Sequence, residues 1–251
     1  MIGKLVHTVF LFCLRITLAL RAPYAVPPTG SLLVLAPHPD DEILGAGGCI
    51  LAALAQRQRV HIVYLTDGEA ACPDYKAEQV ISERAKLTHS ILKQLDLAEQ
   101  HCYRLHLPDG SVPHYGQPGF VETVNQLGQL IDRFQPDYVL ATSHMDYWPF
   151  DHVACAELAE AAIASAGHKP VLYEYWVWAW YQLRPWQLWY KWPPGLFAVN
   201  IRPWATRKQV LVKTYLDATS SLGKPWSGVL PGVLRRAFAF NIEVLEKKSI
   251  Q

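Results

Sequence analysis

Residues 31–48 read SLLVLAPHPDDEILGAGG. Ser31 to Ala36 is an apolar run stopped by Pro37, the pattern of a strand buried on both faces. From Glu42 to Gln56, the residues Ile43, Leu44, Gly47, Ile50, Leu51 and Leu54 recur at helical spacing, so a helix follows directly. His38, Pro39, Asp40 and Asp41 form the polar turn between the two. An imidazole and a carboxylate three residues apart in such a turn can converge on one cation.

The same alternation continues outward. Strands are predicted at Arg59 to Thr66, Cys102 to Leu107, Asp137 to Thr142 and Val171 to Trp180. Helices are predicted at Lys76 to Leu95, Gly119 to Phe134 and His152 to Ala166, with two closing helices at Ala205 to Ser221 and Val229 to Lys247. Strands alternating with helices predict an α/β, Rossmann-like fold: a mainly parallel sheet with helices on both faces. In such sheets the ligand lies beyond the carboxyl ends of the strands. Four loops bring polar residues there: His38 to Glu42, Asp67, Asp109, and His144 to His152. The two segments expected are an apolar N-terminal helix over residues 1–24 and one domain over 25–251.

Catalytic zinc takes three protein ligands and leaves one position for water. His38 and Asp41, with a third ligand from the Asp151-His152 pair, make such a set. His152 opens a helix, which fixes its direction. Asp40 is then free to act as general base toward the activated water. Glu42 is expected at the helix N-terminus, where negative charge is favoured. Asp146 is a candidate to orient a histidine ligand from behind. A His2Asp set suits Fe2+ as well as Zn2+.

The chain resembles the LmbE-like or PIG-L deacetylases, which remove acetyl from N-acetylglucosaminyl compounds. The resemblance rests on APHPDDEILGAGG at 36–48, LTDG at 65–68, LPDG at 107–110 and the Asp-His pair at 151–152, with weaker echoes at Arg84 and Arg207-Lys208. It implies an LmbE-like domain, a zinc ion on His38, Asp41 and His152, and Asp40 as general base. It also implies sugar contacts from Arg84 and Asp109, with Asp151 supporting the ligands. The resemblance implies an N-acetylated sugar as substrate.

There is one departure from the pattern. The family shows His-x-Asp-His, whose first histidine stabilises the oxyanion; here Pro149 stands in that place. Loss of one oxyanion donor typically costs about 10²–10³ in rate. His144, Tyr147 and His114 are candidates to fill the gap, and His144, directly after a strand, is the first choice as a catalytic residue. The alternatives are a glycan binder without hydrolytic activity and an amidase for another amino-sugar conjugate, such as a thiol conjugate.

The 251 residues carry a net charge of +1 and are 51% apolar, which suits a globular domain and gives no basic excess for nucleic acid. Five scattered cysteines argue against a disulfide framework and for a reducing, cytoplasmic setting. Leu5 to Leu20 is apolar but shorter than a membrane span, and Leu5, Val9, Phe12 and Ile16 share one helical face. It reads either as a helix packed on the domain or as a membrane-surface helix. Residues 173–193 hold six of the nine tryptophans. Core packing, an interfacial aromatic belt and a sugar-stacking platform all remain open for that segment. Together these two segments point to peripheral contact with the inner membrane surface and to a substrate carried on a lipid or a nucleotide.

Overall fold

A computed structural model describes residues 2–250, with side chains from residue 5 onward. One eight-stranded sheet runs through the chain in the order β1-β7-β8-β6-β5-β2-β3-β4. Its strands are β1 (Tyr24–Ala25), β2 (Leu32–Ala36), β3 (Val60–Thr66), β4 (Cys102–Leu107), β5 (Tyr138–Thr142), β6 (Val171–Tyr175), β7 (Leu196–Asn200) and β8 (Ile242–Lys247). Strands β2 to β6 are parallel, and β8 is antiparallel to both β6 and β7. All five residues of β2 and all seven of β3 are buried, as their unbroken apolar runs require.

Helices cover both faces. One face packs against α4 (Phe120–Phe134) and α5 (Phe150–Ser165), through Leu127, Ile131, Leu158 and Ala162. The other packs against α2 (Asp41–Ala55), α3 (Ala77–Leu95) and α8 (Ala205–Leu216), through Ile50, Ile91 and Leu211. The N-terminal helix α1 (Ile2–Arg21) inserts Leu11, Leu14 and Leu18 into the second core beside α6 (Ala179–Gln182), α7 (Pro185–Tyr190) and α9 (Gly232–Ala237).

The last third departs from the expected pattern. The helix expected over 229–247 is instead the short α9 followed by β8. Glu, Leu and Lys favour a helix locally, but the edges of β6 and β7 need a partner, and tertiary pairing wins. The strand expected to reach Trp180 stops at Tyr175. Asp146 explains the stop: its carboxylate accepts the Val177 N–H at 3.1 Å and the Ala179 N–H at 2.6 Å, turning the chain into α6. β2 has β3 and β4 on one side, while β5 and β6 lie on the other. The strand order therefore reverses between β2 and β5, and a crevice opens there beyond their carboxyl ends.

Candidate active site

The turn from β2 into α2 and the entry to α5 meet at that crevice. Thr66 of β3 ties down the first turn, its hydroxyl and its N–H both donating to the Pro37 carbonyl at 2.9 and 3.0 Å. Asp40 adopts φ 151°, ψ −30°, a conformation that L side chains avoid at a cost of about 1–3 kcal/mol. The turn is held there because the Asp40 N–H donates to Glu42 Oε2 at 3.0 Å and the Asp40 carbonyl accepts from Ile43 and Leu44. Glu42 is fully buried and accepts from the hydroxyls of Tyr64 and Tyr215, each at 2.8 Å. Burial pushes its carboxyl up to about 7 against those bonds. Neither tyrosine was expected near the site; each lies far along the chain from the turn it supports.

Asp41 Oδ2 lies 3.1 Å from His38 Nδ1 and 3.3 Å from His152 Nε2. These three side chains can offer one ligand atom each, all within 4.8 Å of one another. Each imidazole is oriented by a carboxylate on its far nitrogen. His152 Nδ1 is 2.9 Å from Asp146 Oδ2, and His38 Nε2 is 3.2 Å from Asp151 Oδ2 and 3.1 Å from Asp109 Oδ1. With the far N–H donated to a carboxylate, the near nitrogen keeps its lone pair for a cation. His152 Nε2 is buried and makes no hydrogen bond, its nearest polar neighbour being Asp41 Oδ2 at 3.3 Å, as expected of two ligand atoms turned toward one metal position. The donor set therefore fits a divalent ion such as Zn2+ or Fe2+.

A second grouping, His38, Asp109 and Asp151, has similar spacing. Its carboxylates are already engaged. Asp151 accepts from the amides of Gly110 and Val112, and Asp109 from that of Ala70. They hold a ring in place rather than offering a free pair.

Charge in the metal-free chain follows the same logic. Burial works against ionising Asp41, but His152 and His38 outweigh it and hold the carboxyl well below the usual range. Burial likewise disfavours a charged His152, yet Asp41 and Asp146 raise it to about 9. His38 is raised well above its ordinary value by Asp109, Asp151 and Asp41, again against burial. Protons thus occupy the place of a cation. Asp40 stands apart: burial pushes it up to about 7, with Arg84 opposing.

Arg84 is buried, donates to the carbonyls of Pro39 and Gly68, and lies 3.3 Å from Asp40 Oδ2. Gly68 is needed there, because a Cβ would come within 2.6 Å of the guanidinium and φ is +71°. The open cleft beside these groups has a volume of about 430 Å³ and is lined by His38, Asp40, Asp41, Arg84 and Asp109 on its polar side. Trp148, Pro149, Phe150, Trp178, Val229 and Leu230 give the cleft its apolar lining.

His144, expected to replace the missing imidazole, is engaged elsewhere. His144 does not line the cleft; its Nδ1 is 2.6 Å from the buried carboxylate of Glu174, on the neighbouring strand β6. His114 pairs with Glu157, and Tyr147 is exposed; neither lines the cleft. Pro149 does line it, so that side is apolar. Sequence reading missed the Trp148–Trp178 pair, whose rings meet edge to face at 5.0 Å. Its only signal was the aromatic density itself.

Comparison with known proteins agrees with this architecture. The chain is 27% identical over 150 residues to 4-oxalmesaconate hydratase of Pseudomonas putida, a match covering 57% of this chain and 56% of the relative. It thus spans little more than half the length of that relative. Among solved structures it is similar to GalB, the 4-carboxy-2-hydroxymuconate hydratase of Pseudomonas putida KT2440, with a TM-score of 0.64 and 18% identity over 89% of this chain and 98% of that one. It is also similar to N,N'-diacetylchitobiose deacetylase of Pyrococcus horikoshii, with a TM-score of 0.59 and 20% identity over 76% of this chain and 71% of that one. At these identities the two structures speak to the fold alone. Residues 33–163, over half of the chain and including both the β2 turn and the entry to α5, match the PIG-L family, described as GlcNAc-PI de-N-acetylase. The chain belongs to the PIG-L family.

Proposed function

We propose that the protein is a zinc-dependent hydrolase that removes the N-acetyl group from an N-acetylglucosamine-type sugar, with Fe2+ as the alternative ion. The observation that carries the reading is the buried, unpartnered His152 Nε2 facing Asp41 and His38, beside Asp40 on an open cleft.

His38, Asp41 and His152 would hold the ion. When bound, such an ion polarises the acetyl carbonyl and lowers the pKa of water toward neutrality. Asp146 and Asp151 keep the two imidazoles in the ligating tautomer. Asp40 takes a proton from the attacking water, and the Arg84 guanidinium holds that carboxylate in place. Return of that proton to the leaving nitrogen completes cleavage of the C–N bond, releasing acetate and a free amine. The edge-to-face Trp148 and Trp178 offer an apolar wall for a sugar ring, and the open mouth leaves room for a lipid- or nucleotide-linked carrier.

Two other readings have a specific observation behind them. The hydratase relative favours water addition to an unsaturated tricarboxylic acid. The absence of an imidazole at Pro149 favours a glycan binder. Acetate release from N-acetylglucosamine-containing substrates separates all three. The deacetylase reading expects turnover that Asp40→Asn lowers by about 10²–10⁴. Hydration of an unsaturated tricarboxylate without acetate release would replace it with the hydratase. Sugar binding with no turnover, identical in wild type and Asp40→Asn, would replace it with the binder.

A further inference from the structure

Helix α1 turns one apolar face outward. Leu5, Val9, Phe12, Ile16 and Leu20 recur at spacings of three and four, so they form one stripe. All five are exposed: Leu5 is 67%, Phe12 64% and Leu20 71% accessible. The buried face, with Leu11, Leu14 and Leu18, points the opposite way. Beside it, α7 packs on α1, with Trp186 edge-to-face on Phe10 at 5.5 Å, and leaves Trp186, Trp189 and Tyr190 exposed, the last at 85%. Exposed apolar surface gathered in this way marks an interaction site.

Its flanks are cationic. On one side Arg21 donates to the carbonyls of Leu188 and Trp189 and lies over the rings of Trp189 and Trp192, while Arg184 lies over Phe10. On the other side Arg15 and Arg202 line a depression of about 310 Å³ with Asn200 and Asn241 and no acidic residue. The bias extends through the sequence. Residues 1–39 and 175–216 contain nine Lys and Arg and no Asp or Glu, whereas the rest of the chain carries all 22 acids against 14 cations.

We infer that the α1–α7 face docks on a bilayer surface bearing anionic headgroups, with the apolar stripe in the headgroup–acyl boundary and the Arg15–Arg202 depression holding a headgroup phosphate. Tryptophan and tyrosine at the rim of an apolar stripe, flanked by arginines and free of acids, match that interface in both polarity and charge. Among the described residues no helix is long and apolar enough to cross a membrane, so α1 lies on the surface instead. A line of rings leads inward from this face. His7 stacks on Tyr181 at 4.1 Å, Tyr181 meets Trp178 at 6.4 Å, and Trp178 belongs to the cleft wall.

Vesicle flotation with the full chain tests this. The protein is expected to float with phosphatidylcholine–phosphatidylglycerol vesicles about tenfold more than with phosphatidylcholine alone, and less at high salt. Phe12→Glu with Ile16→Glu abolishes flotation while leaving the melting temperature unchanged, since both side chains are exposed. Arg15→Ala with Arg202→Ala lowers binding to anionic vesicles to the phosphatidylcholine level. Wild-type protein that ignores anionic vesicles overturns the inference, as does a Phe12→Glu, Ile16→Glu variant that floats as well as wild type. A dimer that this variant dissolves, seen by sedimentation without any vesicle binding, assigns the face to a second copy of the chain and overturns it equally.

Discussion

Asp40 and Asp41 are neighbours in sequence with opposite protonation behaviour, and the cause is what each one faces. Asp41 points between two imidazoles, which hold its carboxyl low; Asp40 faces the cleft, where Arg84 and His38 only partly offset its burial and the neighbouring Asp41 and Glu42. The division between ligand and base follows from that contrast. Behind the ligands, Asp146 serves His152 and two backbone amides at once. In Asp146→Asn, whichever way the amide turns, its NH2 meets another donor. Metal affinity is expected to fall about 10–100-fold, measured by competition with a chelator. At this scale the turn was readable because His38, Asp40 and Asp41 sit within four residues. Asp146 and Asp151 were readable as supports of the ligands, but the individual pairings were not: Glu174 claims His144 from the next strand, Asp109 reaches His38 from the loop after β4, and Asp151 reaches it from the first turn of α5.

At the scale of elements, β2 with α2 and β5 with α5 were legible. Each has an unbroken apolar strand run followed by a polar turn and a helix-period pattern. The closing part was not. β8 has the residues of a helix and becomes a strand only because two edges meet it; β7 has no distinctive signal beside its tryptophan-rich neighbours. The junction of β8 with the older core is a buried ion pair. Lys208 Nζ lies 2.6 Å from Glu243 Oε1, and the same carboxylate accepts from the amides of Gly48 and Cys49 in α2. Lys208→Met leaves that charge buried and uncompensated. A loss of about 3–5 kcal/mol is expected in urea unfolding at constant m-value; an unchanged midpoint would show that β8 docks without this pair.

Over the whole molecule, the site stores protons that a metal would displace, and stability should report it. His152 is raised from 6.5 to about 9 in the metal-free chain. The folded state therefore binds this proton more tightly than the unfolded chain does. Its contribution is complete below about pH 6.5 and is lost as pH rises through about 9. Asp40 and Glu42, raised to about 7, act in the same direction at lower pH: stability falls as pH rises from the ordinary carboxylate range toward 7. Chelator-treated protein is thus expected to show a falling melting temperature between about pH 6.5 and 9, while metal affinity rises over the same window as the imidazoles give up their protons. A melting temperature that climbs across that range would contradict the arrangement of carboxylates around His152.

The proposed function needs one ion shared by side chains that the fold draws together from the turn into α2 and the first turns of α5, and the metal content of purified variants tests this most directly. Wild type and Asp40→Asn should each retain one equivalent of zinc or iron per chain by elemental analysis, whereas His38→Ala and His152→Ala should retain close to none. A His152→Ala protein that keeps its full equivalent would contradict it.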